Sequence, residues 1–84
     1  MASTNVVVGS SIGLHARPAA IIAEAAGKYD DEILIEFDGE EADAASALMI
    51  MALGAENGAE VTVSSDNAEA LEEIVKLVAQ DLDA

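Results

Sequence analysis

The pair Asp38-Gly39 constrains the fold more than any other two residues of this chain. It follows EILIEF (Glu32 to Phe37), in which Ile33, Ile35 and Phe37 fall on one face of a strand. Asp-Gly after such a run is the strongest short-range hairpin signal, because both turn residues can take the positive φ that a tight hairpin demands. The chain is therefore expected to double back into Glu40 to Ala44, a segment weak in strand propensity. Ahead of the hairpin, Thr4 to Val8 is short and β-branched and reads as a strand, and Gly9 to Gly13 reads as a loop. Ala16 to Gly27 reads as a helix, with Pro18 in the first turn, where a missing N–H is harmless, and Gly27 as the stop. After the hairpin, Ser46 can cap a short helix that runs to Leu53 and ends at Gly54. Glu60 to Ser64 alternates as a strand. Asp66 and Glu69 form a capping pair before a helix that carries Leu71, Ile74, Val75, Val78 and Leu82 at helical spacing. The order βαββαβα predicts an α+β fold, a mixed sheet with helices on one face. The pattern alone does not give the order of the strands.

A chain of 84 residues fits one domain, 1–84, with a small core. Hydrophobic residues make up 52%, but alanine supplies much of that; with one Phe, one Tyr and no Trp, the core is expected to be Val, Ile, Leu and Met. The absence of cysteine excludes disulfides, thiolate chemistry and a cysteine zinc site. MASTNVVVGSS lacks the basic-then-apolar pattern of a signal peptide, and no apolar run approaches the roughly 20 residues of a membrane helix. A cytoplasmic protein with no membrane partner is expected.

Seventeen acidic residues stand against three basic ones, a net charge of −14. Such a surface reads as adaptation to very high salt, since at ~1 M salt the Debye length is about 3 Å and repulsion between carboxylates is screened. In dilute buffer the same repulsion should destabilise the fold. Nucleic acid is excluded as a partner, because phosphate backbones need Lys and Arg.

Against that background GLHARPAA (Gly13 to Ala20) gathers the only histidine, His15, the only arginine, Arg17, and the only proline, Pro18. The first N–H groups of a helix lack internal partners and concentrate positive potential. That potential disfavours protonation of an imidazole, and a neutral imidazole has a lone pair free to act as a nucleophile. An anion formed on it would be stabilised by the free amides, and Arg17 could reach the same oxygens with forked donors. The octapeptide thus holds the parts of a phosphohistidine site. Asp30-Asp31-Glu32, or Glu40-Glu41 with Asp43, could offer oxygen ligands to a hard cation, but neither has the spacing of a calcium loop, so no metal and no cofactor are expected. No Ser-His-Asp arrangement stands in a diagnostic context.

GLHARPAA, followed by SALMIMALGA (Ser46 to Ala55), resembles the HPr family, the histidine-containing phosphocarriers of the phosphoenolpyruvate-dependent sugar phosphotransferase system. The resemblance covers nearly the whole chain. It implies an open-faced β-sandwich, a four-stranded antiparallel sheet backed by three helices. It implies that His15 accepts a phosphoryl group on Nδ1 from phospho-enzyme I and passes it to the IIA domain of a sugar permease, with Arg17 compensating charge. Such a protein forms a covalent intermediate but releases no product alone, so it is a carrier more than a free-standing enzyme. The same chemistry could serve a dihydroxyacetone-kinase component, and a regulatory binding protein whose histidine is never phosphorylated is the alternative from another class. Ser46 matches a position that a regulatory kinase phosphorylates in some members, although an N-cap role explains the residue without any regulation. Ala16, Ala20, Ile21, Ala47, Leu48 and Met51 match a partner-binding face; helical spacing alone would also allow Leu48 and Met51 to face the core. A monomer is expected. Glu24 and Gly27 stand where family members often carry lysines, so docking is expected to lean on apolar contact, with Arg17 the main charged contributor. Ile12 replaces a small polar residue before Gly13.

Overall fold

The computed structural model describes residues 1–82. Seven elements follow in the expected order: β1 (Ala2–Val7), α1 (Ala16–Ala26), β2 (Ile33–Phe37), β3 (Glu40–Asp43), α2 (Ala47–Ala52), β4 (Glu60–Ser65) and α3 (Ala68–Ala79). The turn at Asp38-Gly39 has φ of 54° and 82°, and Phe37 pairs directly with Glu40, which makes it a two-residue hairpin of the kind the dipeptide favours. Asn67, not Asp66, caps α3: its side-chain oxygen accepts from the amides of Glu69 and Ala70. Leu82 lies beyond the end of α3 and packs against the core from there.

The four strands form one sheet in the order β1-β4-β2-β3, and every neighbouring pair is antiparallel. The mixed sheet expected from the element pattern is therefore corrected. β1 and β2 run the same way, but β4 lies between them, with Val63 opposite both Thr4 and Ile35. One face of the sheet carries Val61, Val63, Ile33 and Ile35, all buried. α3 covers β1 and β4, α2 covers β3, and α1 packs against both other helices. The opposite face is open and polar: Asn5 accepts from the Thr62 hydroxyl at 2.8 Å, and Glu36 stands opposite Glu41.

Ile22, Ile35, Ile50, Ile74, Val63 and Val78 are fully buried. Alanine rather than methionine fills the space between them: Ala19, Ala26, Ala44, Ala55 and Ala70 are buried, whereas Met49 is 45% exposed and Met51 only partly buried.

α1 and α3 are also joined at the surface. Lys28 pairs with Glu73 at 3.0 Å, and the Tyr29 hydroxyl donates to the same carboxylate. The Tyr29 bond, then Lys28, hold the Glu73 carboxyl below its usual value. The Glu73 hydrogen bond, with some desolvation, pushes the Tyr29 phenol from 10.0 up to about 12. The signs follow from linkage. The lowered carboxyl contributes stability that is present above its unfolded value and lost as the pH falls through its folded one. The raised phenol contributes stability that is present below 10.0 and lost as the pH rises toward about 12. Replacing Glu73 with Gln should flatten both edges of the stability–pH curve; denaturant midpoints across the acid and alkaline ranges measure this, and parallel curves would contradict it.

Candidate functional site

The chain ahead of α1 is tied down along its whole length. The Gly9 amide donates to the Val78 carbonyl at 3.0 Å. The fully buried Ser10 donates its hydroxyl to the Gln80 carbonyl at 3.2 Å and accepts from the Leu82 amide at 3.2 Å. The Ser11 amide donates to Asp81, and the Asn57 carboxamide donates to the Ser10 carbonyl at 3.1 Å. Gly13 takes φ of 77°, and its backbone lies so close to Ala55 and Glu56 that a Cβ would stand 2.6 Å from the Ala55 oxygen. Leu14 is buried and its amide donates to that same carbonyl at 2.9 Å. Two residues that only this packing can place are followed at once by an exposed one, His15.

His15 occupies the N-cap position of α1 in extended backbone, φ −113° and ψ 164°, and its side chain takes no capping hydrogen bond. The ring is therefore not spent on the helix. Pro18 is buried and offers no N–H, and the Ala19 amide donates to the His15 carbonyl at 3.3 Å. Ala16 has φ of 38°, a left-handed value that costs a non-glycine residue about 1–2 kcal/mol. Its amide donates to the Met51 sulfur at 3.3 Å. The cradle of open amides is thus smaller than expected: Ala16 is engaged, Pro18 has none, and Arg17 keeps an N–H with no partner among the described residues.

The Arg17 side chain is exposed and forms no ion pair among the described residues, in a chain with seventeen acids. Both lysines do find acids, Lys28 with Glu73 and Lys76 with Glu72. The sequence carries a signal for this that residue-by-residue motif reading passes over: residues 1–23 and 44–55 contain no Asp or Glu at all. Those stretches supply the site loop, the first two turns of α1 and the whole of α2. Asp81 and Glu56 reach the loop from elsewhere.

Of the residues expected on a partner-binding face, Ala16 and Ala20 are exposed, Ile21, Ala47 and Met51 are half-buried, and Leu48 is 76% exposed. Leu48 thus faces solvent, whereas Met51 divides itself between the core and the Ala16 amide. Ile12 and Met49, at 43% and 45% exposed, add to the exposed apolar residues and were not among those expected there. The Ser46 hydroxyl accepts from the Met49 amide at 3.3 Å and is the N-cap of α2. No helix among the described residues is long and apolar enough to cross a membrane.

Comparison with known proteins agrees with this architecture. A family model described as "PTS HPr component phosphorylation site" matches residues 2–80. The chain is 45% identical over 87 residues to the phosphocarrier protein HPr of Streptomyces coelicolor, covering 99% of this chain and 94% of that one. The fold is similar to the crystal structure of HPr from Bacillus anthracis, with a TM-score of 0.86, 34% identity and coverage of 92% of this chain and 95% of that one. It is also similar to the crystal structure of HPr-C-His from Thermoanaerobacter tengcongensis, with a TM-score of 0.90, 31% identity and coverage of 100% and 98%. The chain belongs to the HPr family, the phosphocarriers of the phosphotransferase system.

Proposed function

We propose that His15 is the acceptor, that phospho-enzyme I is the donor, and that the IIA domain of a sugar permease is the recipient. The observation that carries this reading is an exposed imidazole at the start of α1, free of any capping duty, two residues from an arginine that pairs with no acid among the described residues. A ring-nitrogen lone pair forms the new P–N bond while the donor's bond to phosphorus breaks, its electron pair staying with the donor. Attack through a ring-nitrogen lone pair calls for no general base. The Arg17 guanidinium and its own amide meet the equatorial oxygens, where charge develops. Onward transfer reverses the same step, with the recipient completing the site.

Leu48, with Ala16, Ala20, Ile21, Ala47 and Met51 around it, supports docking by apolar contact next to the histidine. We place a regulatory phosphorylation at Ser46, whose hydroxyl serves as the cap of α2 in the unmodified protein; phosphate there would act by adding negative charge beside Leu48. We read the carrier as a cytoplasmic monomer, and its carboxylates as salt adaptation.

Incubation with phosphoenolpyruvate and enzyme I is expected to add the mass of one phosphate, in acid-labile form, to the wild type and none to His15→Ala. A wild type that gains no mass would refute the carrier reading.

A further inference from the structure

We propose that Met51 is a positioning residue of the carrier reaction: its sulfur holds the Ala16 amide while His15 is empty and surrenders it to a phosphoryl oxygen when His15 is loaded. The inference rests on His15 being the acceptor. It starts from one contact, Ala16 N–H to Met51 Sδ at 3.3 Å, which joins α2 to the first residue of α1.

The amide in question is the one directly after the imidazole. Its direction is set by a backbone in the left-handed region, with Leu14 pinned to Ala55 just before it and Pro18 buried just after it. An N–H so placed, beside a ring that will carry an anion, is a natural donor to that anion. It is not idle in the empty protein, because the thioether occupies it.

The chemistry of the occupant decides what that means. A thioether sulfur is a weak acceptor, while hydrogen bonds to an ionised oxygen are roughly twice as strong as neutral ones. A carbonyl oxygen in the same place would compete with the phosphoryl group. Sulfur holds the amide in position and yields it readily, so the bond is weak in the ground state and strong only once charge arrives, which is the difference that assists transfer. The methionine side chain is unbranched and can repack when its partner leaves. Met51 lies on α2 with the exposed Leu48, so release of its sulfur alters the same helix surface that docking uses.

The test is the Ala16 amide resonance in 15N-labelled protein, wild type and Met51→Leu, before and after phosphorylation with phosphoenolpyruvate and enzyme I. Leucine keeps the volume and removes the acceptor. In the empty proteins the variant's Ala16 resonance should move upfield, and its amide should exchange about threefold faster, the factor a weak hydrogen bond of under 1 kcal/mol gives. In the phosphorylated proteins the two resonances should coincide. Met51→Gln, which restores an acceptor at similar reach, should return the empty-state signal toward wild type and slow the loading step, because its oxygen releases the amide less readily. Coincident Ala16 signals in the empty proteins, or a difference that survives loading undiminished, would overturn the proposal while leaving His15 as acceptor. Absence of the phosphate mass gain would overturn the acceptor reading, and the proposal with it.

Discussion

Gly9→Ala should lower the melting temperature by about 15 °C, the shift that a loss of about 3 kcal/mol produces in a domain of this size. An ideal Cβ on Gly9 would stand 2.0 Å from the Ala79 carbonyl oxygen and 2.7 Å from its carbon. Both are backbone atoms, so no rotamer change relieves the clash. The loop and the end of α3 must separate, which stretches the Gly9–Val78 bond and the two bonds of the buried Ser10 hydroxyl. Ser10 would then be a buried polar group without partners, a further cost of about 1–3 kcal/mol if water does not enter. Gly39→Ala supplies the control. Gly39 has φ of 82° but nothing within 4 Å of its missing Cβ, so only backbone strain of about 1 kcal/mol is added. Thermal unfolding of the two variants side by side decides the matter: equal shifts would mean that close approach to α3 is not what position 9 requires.

Arg17→Ala should leave the fold intact and slow phosphoryl transfer about 10²–10³-fold, the cost of removing one donor from developing oxyanion charge. This side chain is exposed and forms no ion pair among the described residues. Its removal therefore leaves no stranded partner, and the melting temperature should stay put. Arg17→Lys keeps the charge but loses the planar fork, and should fall between the two. Single-turnover loading from phospho-enzyme I measures the rate apart from product release. A loss below about tenfold, worth only about 1.4 kcal/mol, would remove Arg17 from the chemistry.

The hairpin and the three helices are legible in the chain because their signals are local. Asp38-Gly39 specifies its own turn, and the period of EILIEF fixes which side chains go inside. The strand order is not local: it depends on Val6 meeting Val61 across the sheet, and no short pattern encodes that pairing. The α3 cap moved from Asp66 to Asn67 because β4 continues to Ser65, whose hydroxyl accepts from the Asn67 amide and sets the turn one residue later. His15 and Arg17 were legible because each is the only residue of its type, and their neighbourhood demanded a reason. The number of open amides was not, since it depends on a sulfur thirty-five residues downstream. Leu48 and Met51 show the same limit: spacing on a helix of six residues cannot say which side faces water.

The bonds from Gly9, Ser10 and Ser11 to residues 78–82 also set an order of events during synthesis. His15 is made before any of them: the loop that presents it first meets Ala55 to Asn57, and its remaining bonds wait for residues translated more than sixty positions later. A nascent chain on the ribosome can display the ring long before it can hold it still, so the loop is complete around His15 only once the far end of α3 has emerged and docked.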